Sequence, residues 1–317
     1  MDSTKRKATL TLLSLSPITA EMLSGSTPPL LFFNPVAFLL FISFYGCAAV
    51  LARELIVKWD KSRASLLFVG AAYGVWEEGI AVKSFFDPNW VDLGILGSFG
   101  RWMGVNWVWA FDLTVYHAVI SITIPVVLVE LLFPSIRGEE LLGKKGKVVA
   151  IVALGFSTFI LNRFLTSFQM VFEYYLLCLL FIAIFICVAY KLPSEMGSGE
   201  VKPPSSGKLL LFGFAWVTSW FAIFWIGPLI VKSPMIIALF GVVQLYFTYR
   251  YLSKFNWEVA TDKHYVGLIF GVLLWHIILA PIIEVAHPNQ AENPAGMTLV
   301  GLAYLIFLIK LWRKKGV

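Results

Sequence analysis

Gly70-Ala71-Ala72-Tyr73-Gly74-Val75-Trp76-Glu77-Glu78-Gly79 sets two adjacent carboxylates inside a stretch, 64–84, that is otherwise apolar enough to cross a bilayer. An ionisable side chain at the centre of a membrane helix costs at least ~2.5 kcal/mol on insertion scales. Such residues therefore face a bundle interior or a wet cavity and mark working sites. Gly70 and Gly74 form a small-xxx-small pattern that lets helices approach closely. Gly70, Gly74, Glu77/Glu78 and Ala81 follow one face at helical spacing. The stretch predicts a spanning helix whose acids point toward its neighbours.

Composition extends this reading to the whole chain. Of 317 residues, 59% are hydrophobic and 14% charged, and the mean hydropathy is +0.80, far from the roughly 25% charge of soluble domains. Apolar windows of roughly 17 to 25 residues are the unit of a spanning helix. Nine follow the first thirty residues, at 34–57, 64–84, 107–133, 147–165, 171–190, 208–231, 234–252, 265–283 and 298–312. The stretch 8–26 is interrupted by Pro17 and carries Glu21, yet Pro28-Pro29 leads directly into another apolar window rather than into a soluble domain. It is read as the first of ten spans, not as a secretory signal.

The net charge of +6 reports topology. With the N-terminus inside, the cytoplasmic side collects 21 of the 25 basic residues, leaving Lys83, Arg101, Arg163 and Lys232 outside, as the positive-inside rule requires. An all-α polytopic bundle of about ten spans in the cell membrane, both termini cytoplasmic, is expected. Its partners are membrane lipids, and nucleic acid is not needed to explain the basic excess. The Pro/Gly/Ser-rich segment 191–207 is a cytoplasmic linker between an N-terminal half, 1–190, and a C-terminal half, 208–317, of one integral unit. Residues 85–106 are long, aromatic and glycine-rich, either an interfacial aromatic belt or a re-entrant lid over the acids. Cys47, Cys178 and Cys187 lie in apolar runs without metal or disulfide spacing.

Depth places the remaining polar residues at ~1.5 Å per residue. Glu77, Glu78, Asp112, His117 and His276 all fall in the extracytoplasmic half, with Glu21, Arg163, Glu173 and Glu284 near outer ends, while His264 and His287 belong to loops. Asp112 is expected to pair with Tyr116, one turn away. Glu77, Glu78, His117 and His276 form a candidate catalytic set. Carboxylates that activate water suit it, with histidines steadying an oxyanion. So does one divalent metal on Glu77, His117 and His276. No HExxH, GxSxG, GxxxxGK[ST] or GxGxxG is present.

An intramembrane Glu-Glu pair, a histidine on the next helix and another on a later helix resemble the glutamic intramembrane proteases of the CAAX-processing and bacteriocin-immunity type. Their pattern runs EExxxR, FxxxH, HxxxN/D. Here Glu77-Glu78 is followed by Lys83, His117 is preceded by Leu113, and His276 is followed by Ala280. The resemblance implies an endopeptidase acting on a transmembrane or lipidated peptide. Glu77 or Glu78 would be the base for water, and His117 and His276 would stabilise the tetrahedral intermediate. Ser16-Pro17 through Glu21, Ser24-Gly25-Ser26-Thr27-Pro28-Pro29 and Gly104-Val105-Asn106-Trp107 are similar to uncharacterised prokaryotic polytopic membrane proteins. The same buried cluster also suits a proton-coupled transporter, and a non-catalytic scaffold would use it as interhelical glue.

Overall fold

The computed structural model describes residues 2–194, 199–286 and 293–315. Among these, ten long helices follow in order: α1 (3–22), α2 (Pro35–Trp59), α3 (63–81), α4 (Trp107–Leu132), α5 (Lys144–Phe164), α6 (Phe172–Lys191), α7 (Ser206–Ile230), α8 (Pro234–Leu252), α9 (Asp262–Ala286) and α10 (Met297–Lys314). The chain is an all-α membrane bundle, and the two-residue strands β1 (Arg101–Trp102) and β2 (Val105–Asn106) form one hairpin. Seven helices, α2 and α4 to α9, are long and apolar enough to cross a membrane. The expected spans 8–26, 64–84 and 298–312 are helices that fall short of that measure. Each carries charge along its length: Lys5, Arg6, Lys7 and Glu21 in α1, Arg63, Glu77 and Glu78 in α3, and Lys310, Arg313 and Lys314 in α10.

Burial separates centre from rim. In its most apolar window α4 is 67% buried and α9 56%, whereas α6 and α8 are 11% buried, so α4 and α9 form the interior and α6 and α8 present apolar side chains outward. The core on α4 (Ile120, Val127, Leu131) is continuous with Val217 of α7, Leu273 of α9 and Tyr304 of α10. The two sides of the 191–207 linker thus share one core. That linker lies partly outside the described residues, as does His287. Within the described residues of the linker, Val201 forms a β-bridge with Phe255.

At one end of the bundle a network of charges ties the chain's extremities together. Lys5 pairs with Glu139 at 2.8 Å, Arg137 with Asp262 at 2.7 Å and Lys315 with Asp262 at 2.8 Å. Both chain ends therefore lie at the same end. Arg53, fully buried, donates to the Ile136 carbonyl (2.6 Å) and the Glu139 carbonyl (2.9 Å), fixing the turn between α4 and α5.

At the other end, residues 85–106 fold back onto the bundle. Phe85, Phe86, Leu93, Leu96 and Val105 are buried against Trp109 and Cys178, while Trp102 and Met103 point outward. Asn106 Oδ1 accepts from the Trp109 backbone N–H (3.1 Å), capping α4, and its Nδ2 donates to the Leu96 carbonyl (2.6 Å). The segment packs as a cover on that end of the bundle, with Trp102 on its outer edge.

The face predicted from Gly70 and Gly74 packs on α4. A β-carbon at Gly70 would lie 2.8 Å from Ala118 Cα, and one at Gly74 would lie 3.1 Å from His117 Cβ. That near backbone contact brings the end of α3 against the histidine. Gly70→Val should consequently lower the melting temperature in detergent markedly, as overpacking costs about 1–3 kcal/mol. Gly155→Val, where a β-carbon meets nothing within 4 Å, should leave it unchanged. Equal melting temperatures for the two variants would contradict this packing.

Candidate functional site

The site is built from wide helical turns. Each helix contributing to it switches from α to π geometry where it contributes: Ile18–Met22 in α1, Ile42–Gly46 in α2, Trp76–Ala81 in α3 and His117–Thr123 in α4. The backbone bonds Leu23 N–H to Ile18 O and Val82 N–H to Glu77 O, both 2.9 Å, close over five residues instead of four. Such π turns re-aim side chains and cluster at functional positions. Neighbouring helices engage the same turns. Ser16 Oγ lies 3.2 Å from Tyr45 O and 2.8 Å from Ser121 O, and Asn162 Nδ2 donates to Ile80 O at 2.6 Å.

Glu77, Glu78 and His117 meet at this point, all buried. His117 Nε2 is 3.0 Å from Glu78 Oε1, and Nδ1 is 3.0 Å from Glu77 Oε2 and 2.9 Å from Ser121 Oγ. The two carboxylates bracket one imidazole. Despite its proximity to Nδ1, Glu77 Oε2 completes no hydrogen bond of ordinary geometry; Ser121 is the partner aligned with that nitrogen. The Tyr45 hydroxyl bonds both Glu77 Oε1 and Glu21 Oε1. Glu21 Oε2 accepts from Thr27 Oγ1 at 2.6 Å. On the far side, the Ser84 hydroxyl donates to Glu78 Oε2 and accepts from Trp109 Nε1 at 2.9 Å, linking the site to the cover over 85–106.

A phenol has one proton, so Tyr45 donates to only one of its two carboxyl partners, and the other contact requires a proton on that carboxyl group. No lysine or arginine pairs with Glu21, Glu77 or Glu78 among the described residues: the nearest in sequence, Lys83, donates to Asn162 O (2.8 Å) and Phe168 O (2.7 Å). Two carboxyl groups contact the single imidazole, and the third, Glu21, is linked to Glu77 through Tyr45.

His276 does not join the set expected of it. It is buried in α9, with neither ring nitrogen hydrogen-bonded, and packs edge-on against Phe221 (5.6 Å) and Tyr116 (6.1 Å). Tyr116 also contacts the His117 ring at 5.2 Å, so an aromatic ring adjoins both histidines. His276 lies among aromatic rings and pairs with no carboxylate among the described residues, and the compact donor set there is Glu77, Glu78 and His117, whose ligand atoms lie within 4.8 Å of one another. This replaces the expected metal set of Glu77, His117 and His276. Asp112 likewise differs: it accepts from Trp220 Nε1 (2.6 Å) and Trp225 Nε1 (3.1 Å), while Tyr116 donates to Ala20 O (3.0 Å).

Glu21 and Tyr45 are the members that sequence reasoning missed. Glu21 carried a signal, being an acid within an apolar stretch, but its position near a helix end gave no reason to join it to Glu77. Tyr45 carried none, since a tyrosine in an apolar helix reads as core.

No curated protein and no solved structure matches the chain. The profile of an uncharacterized membrane protein family matches residues 10–316, nearly the full length. The chain belongs to that family of integral membrane proteins.

Proposed function

We propose that this protein is a ten-span protein of the cell membrane with both termini cytoplasmic, and that Glu77, Glu78 and His117 form the acid–base centre of an intramembrane hydrolase acting on membrane-embedded or membrane-proximal peptides. The topology is supported by the basic excess on one side of the chain and by the charge network that gathers both ends. The hydrolase reading is carried by one observation, the His117 imidazole held between two carboxylates inside the bundle. Glu77, whose Oε2 completes no hydrogen bond, is the group that takes a proton from water. Glu78 orients His117, and His117 supplies the proton or positive charge that a tetrahedral oxyanion needs. His276 has no part in this centre.

A specific observation favours a second reading, proton-coupled transport. Tyr45 connects buried Glu77 to Glu21, which is only partly buried, giving protons a route between the centre and the surface of the bundle.

Topology is tested by introducing single cysteines at Lys5 and Lys314 in a cysteine-free background and labelling intact cells. Both sites should resist impermeant maleimide until the cells are opened, and labelling of either from outside contradicts the arrangement. Function is tested in proteoliposomes carrying fluorogenic transmembrane peptides. Glu77→Gln, Glu78→Gln and His117→Ala should each lose about 10²-fold or more in cleavage rate, the usual range for a lost acid or base, with His276→Ala active. Folded variants that cleave as well as wild type would sink the hydrolase. Proton flux abolished by Glu21→Gln, without any cleavage, would establish the carrier instead.

A further inference from the structure

Each of the three central side chains has one polar atom held and one left over. Tyr45 holds Glu77 Oε1, Ser84 holds Glu78 Oε2, and Ser121 lies at 2.9 Å from His117 Nδ1. This leaves Glu77 Oε2 without a hydrogen bond, and Glu78 Oε1 and His117 Nε2 facing each other at 3.0 Å. Ligating histidines usually donate their other ring N–H to an outer partner, and ligating carboxylates are in turn hydrogen-bonded, which fixes tautomer and direction. The arrangement here has that form at all three residues.

With a neutral imidazole and both carboxylates ionised, these atoms oppose one another. When Nδ1–H donates to Ser121, the Nε2 lone pair faces Glu78 Oε1 at 3.0 Å, two acceptors in contact. In the other tautomer Nε2–H satisfies Glu78, and the Nδ1 lone pair then faces Glu77 Oε2 at 3.0 Å. A neutral imidazole has one N–H and cannot serve both carboxylates. Glu77 Oε2 is without a hydrogen-bond partner in a residue that is 1% exposed. The adjacent Tyr73 hydroxyl, buried and near Glu77, also completes no bond of ordinary geometry.

We infer that Glu77, Glu78 and His117 bind one first-row divalent transition-metal ion, with Zn²⁺ and Mn²⁺ the leading candidates, through Glu77 Oε2, Glu78 Oε1 and His117 Nε2. The ion removes the acceptor–acceptor contact and gives Glu77 Oε2 a partner. It also balances charge: a dication, two carboxylates and a neutral imidazole sum to zero, no lysine or arginine among the described residues pairs with the two acids, and buried charge left unpaired is strongly unfavourable. Metal–ligand bonds of ~2.1 Å put neighbouring ligand atoms ~3 to 3.4 Å apart in octahedral to tetrahedral shells, close to the 3.0 Å between Nε2 and Glu78 Oε1. A mixed imidazole and carboxylate set suits zinc, manganese, iron or cobalt rather than calcium or magnesium, which prefer all-oxygen shells. Three protein ligands leave a position for water, as in catalytic rather than structural sites.

The inference rests on the same residues as the hydrolase reading and changes their parts in it, since a bound ion would take over from Glu77 and His117 the activation of water and the charge that faces an oxyanion; its readout needs no substrate. The full-length protein is purified in detergent on a tag without histidines and without chelator, and its metal is measured by plasma mass spectrometry. About one transition-metal ion per chain is expected. Glu77→Gln and Glu78→Gln should lower the content about 10-fold or more, with Glu21→Gln and His276→Ala retaining it. Wild type stripped with chelator and titrated with Co²⁺ should gain visible ligand-field absorption and a higher melting temperature, a measurement that holds even where a glutamine variant fails to fold. Less than about one-tenth of an ion per chain in wild type, together with no Co²⁺ spectrum, overturns the metal site. So does equal metal content in wild type and in folded glutamine variants. Metal-free protein that still cleaves peptide would retain the hydrolase and discard the ion, and metal-loaded protein inert toward peptides would do the reverse.

Discussion

One imidazole has to serve two carboxylates with which no lysine or arginine pairs among the described residues, and much of the interior is arranged around that constraint. Glu77 and Glu78 leave water only because His117 lies between them. His117 comes that close because Gly74 carries no side chain, where an added β-carbon would lie 3.1 Å from that of His117. Remove the glycine contact and the acids lose their partner. Remove the histidine and two buried carboxyl groups remain with a phenol and a serine, which cannot both neutralise and orient them. Packing and chemistry are thus coupled through one helix pair.

The π turns give the coupling its geometry. An α-helix places adjacent residues about 100° apart, which would send Glu77 and Glu78 toward different neighbours. The wide turn over Trp76–Ala81 lets both address α4. Matching turns in α1, α2 and α4 bring Glu21, Tyr45 and His117 to the same region. Polar side chains of adjoining helices, Ser16 and Asn162, bond carbonyls at or beside the widened turns, and the buried charge of Lys83 is met by carbonyls near the end of α5. The cover over 85–106 completes the enclosure through Ser84 and Trp109.

Much of this was legible in the residues, for definite reasons. A charge inside an apolar helix is conspicuous, so Glu77, Glu78 and His117 stood out. Glycines four apart announced the close helix face. Membrane helices are also visible by hydropathy, although α1, α3 and α10 carry charges that blur the distinction between a spanning helix and a polar one. His276 shows where the reasoning ended. Sequence gives its depth in α9 but not the direction it faces, and that direction is set by packing against Phe221 and Tyr116. Tyr45 was hidden for the opposite reason, because its hydroxyl acquires meaning only when Glu21 and Glu77 arrive on either side. The π turns have no composition signal that separates them from the α-helix around them.

The account depends most directly on the energetic coupling of Glu78 and His117. A double-mutant cycle measures it: reversible unfolding in mixed micelles of wild type, Glu78→Gln, His117→Ala and the double variant. A coupling of about 1–3 kcal/mol is expected for groups in direct contact within one buried network. Additivity within about 0.5 kcal/mol, the behaviour of independent sites, would contradict the pairing on which the site is built.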